Sequence, residues 1–175
     1  MPESVDNRVN RIRLLVLGIT TAAILGFVNF EIVGKERIIN EGKTILLKLA
    51  PRDPRSLLQG DYMALRYSLA DTVAKAADTA GVTDGRAILE LGKLDEAEFV
   101  AIYAGQQLAD GQYLLRFRKR GEAVRLASDA YFFEEGKGGL YDDARFGELR
   151  VDSDGEAVLI GLRDSAGERL GPLLQ

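Results

Sequence analysis

The rhythm of apolar and polar positions changes near residue 42. Before that point, Leu14 to Phe30 contains no charged residue, and its polar exceptions are Thr20, Thr21 and Asn29. Apolar side chains fall on every face of this run, unlike the single stripe of a helix packed on a soluble core. A helix needs about 17–25 apolar residues to cross hydrocarbon. The run meets the lower bound, and Ile12, Ile32 and Val33 extend it. Arg13 and Glu31 can snorkel to the two interfaces. A cleaved signal peptide would need small residues spaced A-x-A, which "GFVNFEIVGKE" lacks. The pattern therefore predicts an uncleaved signal anchor over residues 12–33, a tail over 1–11 and a helical stalk over 34–42.

Beyond residue 42, period-two alternation takes over, as in half-buried strands. "KTILLKLA" aligns Ile45, Leu47 and Leu49; "DYMALRY" aligns Met63, Leu65 and Tyr67 against Tyr62, Ala64 and Arg66. "EFVAIYA" sets Phe99, Ala101 and Tyr103 opposite Val100 and Ile102. In "QYLLRFRKRG", Tyr113, Leu115 and Phe117 point inward, and Arg116, Arg118 and Arg120 point out. That arginine row reads as a solvated sheet face or an anion-binding row. "EAVRLAS", "FGELRVD" and "EAVLIGLRD" add strands, with hairpin turns expected at Ala109–Gln112, Lys119–Glu122 and Asp152–Glu156, where Asp-Gly or Arg-Gly supplies the glycine. One segment has a helical period: Leu69, Val73, Ala76 and Ala77 share a face, Gly81 follows as a stop, and "GVTDG" reads as loop. A second helical turn is expected near Leu140–Ala144. The fold class is a single amino-terminal transmembrane helix followed by a mainly β (α+β) domain over 43–175, with antiparallel strands and one or two short helices.

Charge orients the anchor. Arg8, Arg11 and Arg13 crowd one end, while Glu31, Lys35, Glu36 and Arg37 cancel at the other. The positive-inside rule puts the amino terminus in the cytoplasm and the β domain on the extracytoplasmic side of a bacterial inner membrane. The chain of 175 residues carries a net charge of −4, with no basic patch interleaved with aromatics, which argues against nucleic acid as a partner. It has no Cys and no His. Disulfides, thiol nucleophiles, imidazole-ligated metals and Ser-His-Asp triads are excluded. Catalysis would have to use carboxylates, Lys, Ser/Thr or Tyr, or an oxygen-ligated metal; no cofactor is expected.

The densest chemistry lies in "PRDPRSLLQGDYMALRY", Pro51 to Tyr67. Pro51 and Pro54 remove two backbone donors and push Ala50 and Asp53 away from helical angles. Arg52 and Arg55 flank Asp53, and either can clamp it bidentately. Ser56 can open a helical turn that Gly60 closes, and Asp61 can bond backbone amides as the next strand begins. The stretch reads as a rigid strand–loop–strand corner. Gly60, Asp61, Tyr62, Leu65 and Tyr67 match, residue for residue, the pattern that names the GDYxxLxY family of bacterial membrane-anchored proteins, which this chain resembles from about residue 35 to 165. "DPRSLLQ" and "DAYFFEEG…YDDARFGELRVD" also look like that family. The resemblance implies no activity; it implies a partner in the same membrane, since family members are encoded beside multi-pass membrane proteins. "SLLQGDYMALRY" is also similar to a turn of type I signal peptidases, with Ser56 at their threonine. Their nucleophilic serine would fall at Arg52 and their proline at Arg55, so a Ser/Lys dyad lacks its nucleophile. Ser56 with Lys43 or Lys48 remains a rival pair.

Two further clusters are candidates. Glu134, Glu135, Asp142 and Asp143 could serve acid/base work or bind Ca²⁺. Tyr131, Phe132 and Phe133 cannot all face inward on one strand, so one of them needs outside cover. The expected reading is an accessory or assembly subunit that contacts the lipid bilayer and a multi-pass membrane protein. Its docking surface comprises the Arg52–Tyr67 corner and the loop carrying Tyr131, Phe132, Phe133, Tyr141 and Arg145. The rival reading is an extracytoplasmic hydrolase or ligand-binding domain.

Overall fold

The structure, a computed structural model, describes residues 3–51 and 62–172, and the side chains of these apart from residues 3–9, 11 and 12. Two compact units divide the chain, Met1–Arg37 and Ile38–Gln175. Helix α1 (Glu3–Glu41) runs without a break for 39 residues, about 58 Å at helical rise. Tail, anchor and stalk, distinct in the sequence pattern, are thus one helix. Its segment Arg13–Glu41 is long and apolar enough to cross a membrane, with a mean hydropathy of 1.9 and none of the most apolar stretch buried. Gly42 ends the helix, donating its N–H to the Ile38 carbonyl at 2.9 Å. Any side chain there would press on that carbonyl and on the Val151 carbonyl, so glycine is required by close approach.

The second unit holds β1 (Lys43–Lys48), β2 (Tyr62–Ala64), α2 (Leu69–Ala80), β3 (Asp84–Leu91), β4 (Ala97–Ile102), β5 (Gln112–Arg120), β6 (Ala123–Arg125), β7 (Ala130–Phe132), β8 (Phe146–Val151), β9 (Ala157–Arg163) and β10 (Arg169–Leu170). They form one sheet in the order β1-β8-β9-β10, a second in the order β4-β3-β5-β6, and a ribbon, β2-β7. Every strand pairing is antiparallel. A parallel bridge between Leu46 and Glu96 joins β1 to the start of β4.

The alternation read from the sequence sets the core. Ile45, Leu47 and Leu49 are buried from β1, Met63, Leu65 and Tyr67 from the motif segment, and Leu115 and Phe117 from β5. Helix α2 buries Val73 and Ala77, packs on β4 and β6, and ends at Gly81 in the left-handed conformation (φ 68°). The hairpin glycines Gly121 (φ 60°) and Gly155 (φ 86°) lie where expected.

Three expectations change. The segment "GVTDG" is shorter as a loop, because Asp84 and Gly85 already belong to β3, a strand the alternation did not reveal. Its buried residues Ala87, Ile88 and Leu89 are contiguous, as in a central strand covered on both faces. The turn at Ala109–Gln112 is no hairpin, since β4 and β5 lie on opposite sides of β3 and do not pair. Finally, the helical turn near Tyr141 is a 3₁₀ turn that begins earlier, at Gly138.

Candidate functional site: the motif ribbon

The described residues on either side of 52–61 are held together at a closed base. Leu49 bridges Tyr67 in antiparallel fashion. Ala50 donates its N–H to the Arg66 carbonyl at 2.7 Å, and Ser68 donates to Lys48 at 2.9 Å. From this base, β2 pairs with β7 in the register Tyr62↔Phe132, Met63↔Tyr131 and Ala64↔Ala130. Two stretches that stood apart in the sequence, the motif and the aromatic triplet, are therefore the two strands of one ribbon.

The ribbon has unlike faces, as the period of two demands. Inward, Met63, Leu65, Tyr67 and Tyr131 are buried. The Tyr67 hydroxyl donates to the Ser128 carbonyl at 3.0 Å, and Gly147 leaves room for its ring: a Cβ there would lie 3.0 Å from Tyr67 Cε1. Burial, and then the nearby Asp129 carboxylate, pushes the Tyr67 phenol above its ordinary value. Tyr131 packs edge-on against Tyr141, with ring centroids 5.1 Å apart, and Phe133 stacks on Tyr141 at 5.3 Å. Burial, followed by the hydrogen bond with Tyr141, raises the Tyr131 phenol as well. Outward, Tyr62 and Phe132 lie side by side at 5.7 Å, and Phe132 remains 66 % exposed. This outer face therefore presents apolar, aromatic surface to solvent.

The other expected site residues are less concentrated. Arg52, Asp53, Arg55, Ser56, Gly60 and Asp61 lie outside the described residues, and with them the signal-peptidase likeness. Arg145 works through its backbone: its N–H donates to the Arg163 carbonyl and its carbonyl accepts from Leu49 N–H, both at 2.8 Å. Its guanidinium caps the Ala144 carbonyl at 2.9 Å and stays largely in solvent. Lys43 pairs with Asp95 at 3.6 Å, away from the ribbon strands, and Lys48 is exposed. Of the acidic candidates, Glu134 pairs with Lys137, while Glu135, Asp142 and Asp143 are exposed. Among the described residues no group of three acids is placed to hold a metal.

Sequence reasoning missed the one buried acid among the described residues. Glu148 on β8 is 1 % exposed. Arg163 Nη2 donates to its Oε1 at 2.7 Å, Arg169 Nη2 to the same oxygen at 2.6 Å, and Arg169 Nε to Oε2 at 2.9 Å. Burial alone would raise the Glu148 carboxyl; the bonds from Arg163 and Arg169 outweigh it and hold the carboxyl below its ordinary 4.5. Gly161 lies opposite Glu148 on β9, and a Cβ there would sit in ordinary contact with the cluster, 3.5 Å from Glu148 Oε2 and 3.7 Å from Arg169 Nε. The only signal in the chain was a glutamate in the middle of an apolar strand.

A family model described as GDYXXLXY protein matches residues 24–162, from within α1 to near the end of β9. The chain belongs to this family. No curated protein and no solved structure matches it. The GDYXXLXY pattern divides by physical role at the ribbon: Leu65 and Tyr67 fill the core, while Tyr62 stands on the outer face beside Phe132. Arg163 and Arg169 both lie beyond the matched segment, although they complete the Glu148 cluster.

Proposed function

We propose that this GDYXXLXY protein is a membrane-anchored accessory subunit that binds a multi-pass membrane protein through the outer face of the β2-β7 ribbon. The observation that carries the reading is the Tyr62–Phe132 pair, in which a residue of the family's own motif stands beside an exposed phenylalanine of β7. Aromatic residues of this kind are the usual anchors of protein interfaces, because they bury much apolar area at little entropic cost. Helix α1 supports the location: as an anchor it confines the domain to the bilayer, which raises its effective concentration near any partner in that membrane. The excess of Arg8, Arg11 and Arg13 favours a cytoplasmic amino terminus and an extracytoplasmic domain at a bacterial inner membrane.

Extraction of the full-length protein in a mild detergent, followed by mass spectrometry of what co-purifies, tests this. A stoichiometric multi-pass protein that is lost from Phe132→Ala and kept in Phe132→Tyr is the expected result. A lone protein, or a partner retained by Phe132→Ala, would overturn the assignment.

A further inference from the structure

The second sheet carries a feature that docking through the ribbon does not explain. Arg116 and Arg118 project from the same face of β5, and Arg125 projects from β6. The β5–β6 register sets Arg118 directly opposite Arg125, and the β3–β5 register sets Arg116 opposite Arg86. Like charges facing each other across an antiparallel pair repel; on the other side of Arg118 the β3–β5 register places Asp84, which answers part of this charge. Between them runs a groove of about 230 Å³, lined by Arg116, Arg118, Arg125 and Glu156, with Leu126 and Ala157 among its apolar residues.

The lining thus holds three guanidiniums against one carboxylate. Glu156 is already engaged by Arg116. The remaining counter-charges approach from outside the groove: Asp84 meets Arg118 Nε at 3.1 Å and Arg116 Nε at 3.6 Å, and Asp129 meets Arg125 Nε. These are exposed pairs, which hold their partners weakly. Arg118 and Arg125 spend only Nε on them, and their Nη1 and Nη2 groups have no hydrogen-bond partner among the described residues. Two guanidiniums from paired positions on β5 and β6, lining one groove with apolar neighbours, have the chemistry to chelate a tetrahedral or planar oxyanion.

We propose that this groove binds a small organic anion, with a phosphate or carboxylate head between Arg118 and Arg125 and a short aliphatic part against Leu126 and Ala157. The same chemistry is presented by a soluble phosphate monoester and by an anionic lipid headgroup. The site is separate from the ribbon face and stands whether or not that face binds a partner.

The test uses the full-length protein with ¹⁵N labelling, first in a neutral detergent and titrated with hexyl phosphate, hexanoate and inorganic phosphate. Saturable shifts at Arg118, Arg125 and Ala157, tighter for hexyl phosphate than for inorganic phosphate and weakened by salt, are expected. Arg118→Gln and Arg125→Gln should each weaken binding about tenfold, the loss of one charge-assisted contact. Lys75→Gln, which removes an exposed cation on α2, should leave it unchanged. Arg125→Lys keeps the charge but loses the fork, and should weaken binding even though it folds as the parent does. In nanodiscs, shifts at the same residues that require phosphatidylglycerol, with no response to hexyl phosphate, identify the lipid source; a response to hexyl phosphate in solution identifies the soluble one. Absence of saturable shifts in every arm, or affinity unchanged in Arg118→Gln and Arg125→Gln, overturns the proposal.

Discussion

At β8 a carboxylate has been taken out of water and answered by two guanidiniums, whereas at the β2-β7 ribbon an aromatic pair sits on the outer face with Phe132 exposed to water. The first arrangement is answered from within the domain: Glu148 receives three donors, and Arg163 also reaches the Gly167 carbonyl at 2.8 Å, closing the β9-β10 turn, though its Nε is buried without a hydrogen-bond partner among the described residues. The second is incomplete. Tyr131 and Phe133 have found Tyr141, whereas Phe132, between them, has Tyr62 as its one aromatic neighbour among the described residues. A closed cluster holds the fold together, and changing it changes stability. An open one costs the fold little to lose, and one of its two rings, Tyr62, belongs to the family's own motif.

The comparison breaks most visibly at Glu148. Glu148→Ala strands Arg163 and Arg169 beside an empty pocket, and unpairing a buried charge typically costs about 3–5 kcal/mol. Denaturant unfolding of the detergent-solubilised protein should show it; a loss below about 1 kcal/mol would mean that the cluster is not structural. The same carboxyl sets an acid limb. Its folded value lies below the ordinary 4.5, so its stabilisation is complete above that pH and disappears as the pH falls through the lowered value. Stability measured against pH should therefore drop below about pH 4.5, and the drop should be shallower in Glu148→Gln.

Inside the motif the effects are smaller but still structural. Met63→Ala, on the buried face of β2, should cost about 2–5 kcal/mol. Tyr67→Phe removes one hydrogen bond to Ser128 and should cost about 1 kcal/mol. Burial raises the Tyr67 and Tyr131 phenols above their ordinary 10.0, so the stability linked to their neutral forms is complete below pH 10 and is lost as pH rises through the folded values. Alkaline unfolding followed at the phenolate absorbance should begin later in Tyr67→Phe than in the parent. The smallest effect is expected at Phe132→Ala, within about 0.5 kcal/mol of the parent, although it removes partner association. A large loss of stability there would erase the distinction between the two regions.

How much of this was readable in the chain follows from how each contact is made. Met63, Leu65 and Tyr67 alternate along a strand with one wet face, so their burial could be read by counting in twos. Helix α2 announced itself through Leu69, Val73 and Ala77 at helical spacing and Gly81 at its end. Strand β3 did not, because a central strand buried on both faces loses the alternation that marks its neighbours. The pairing of β2 with β7 was also invisible: nearly 70 residues separate Met63 from Tyr131, and no local pattern encodes such a register. The need of one aromatic in Tyr131–Phe133 for cover followed from the pleat alone; that its neighbour would be Tyr62 did not. Glu148 was hidden for the same reason, since its arginines come from a hairpin that returns 15 and 21 residues later.

The central claim is that the outer face of the ribbon meets another membrane protein. A photoreactive phenylalanine derivative placed at position 132, with Val100 on β4 as an exposed apolar reference position, tests it directly in intact cells. The account predicts a covalent adduct with one multi-pass membrane protein from position 132 and none from position 100. No adduct at 132, or the same adducts from both positions, would contradict it.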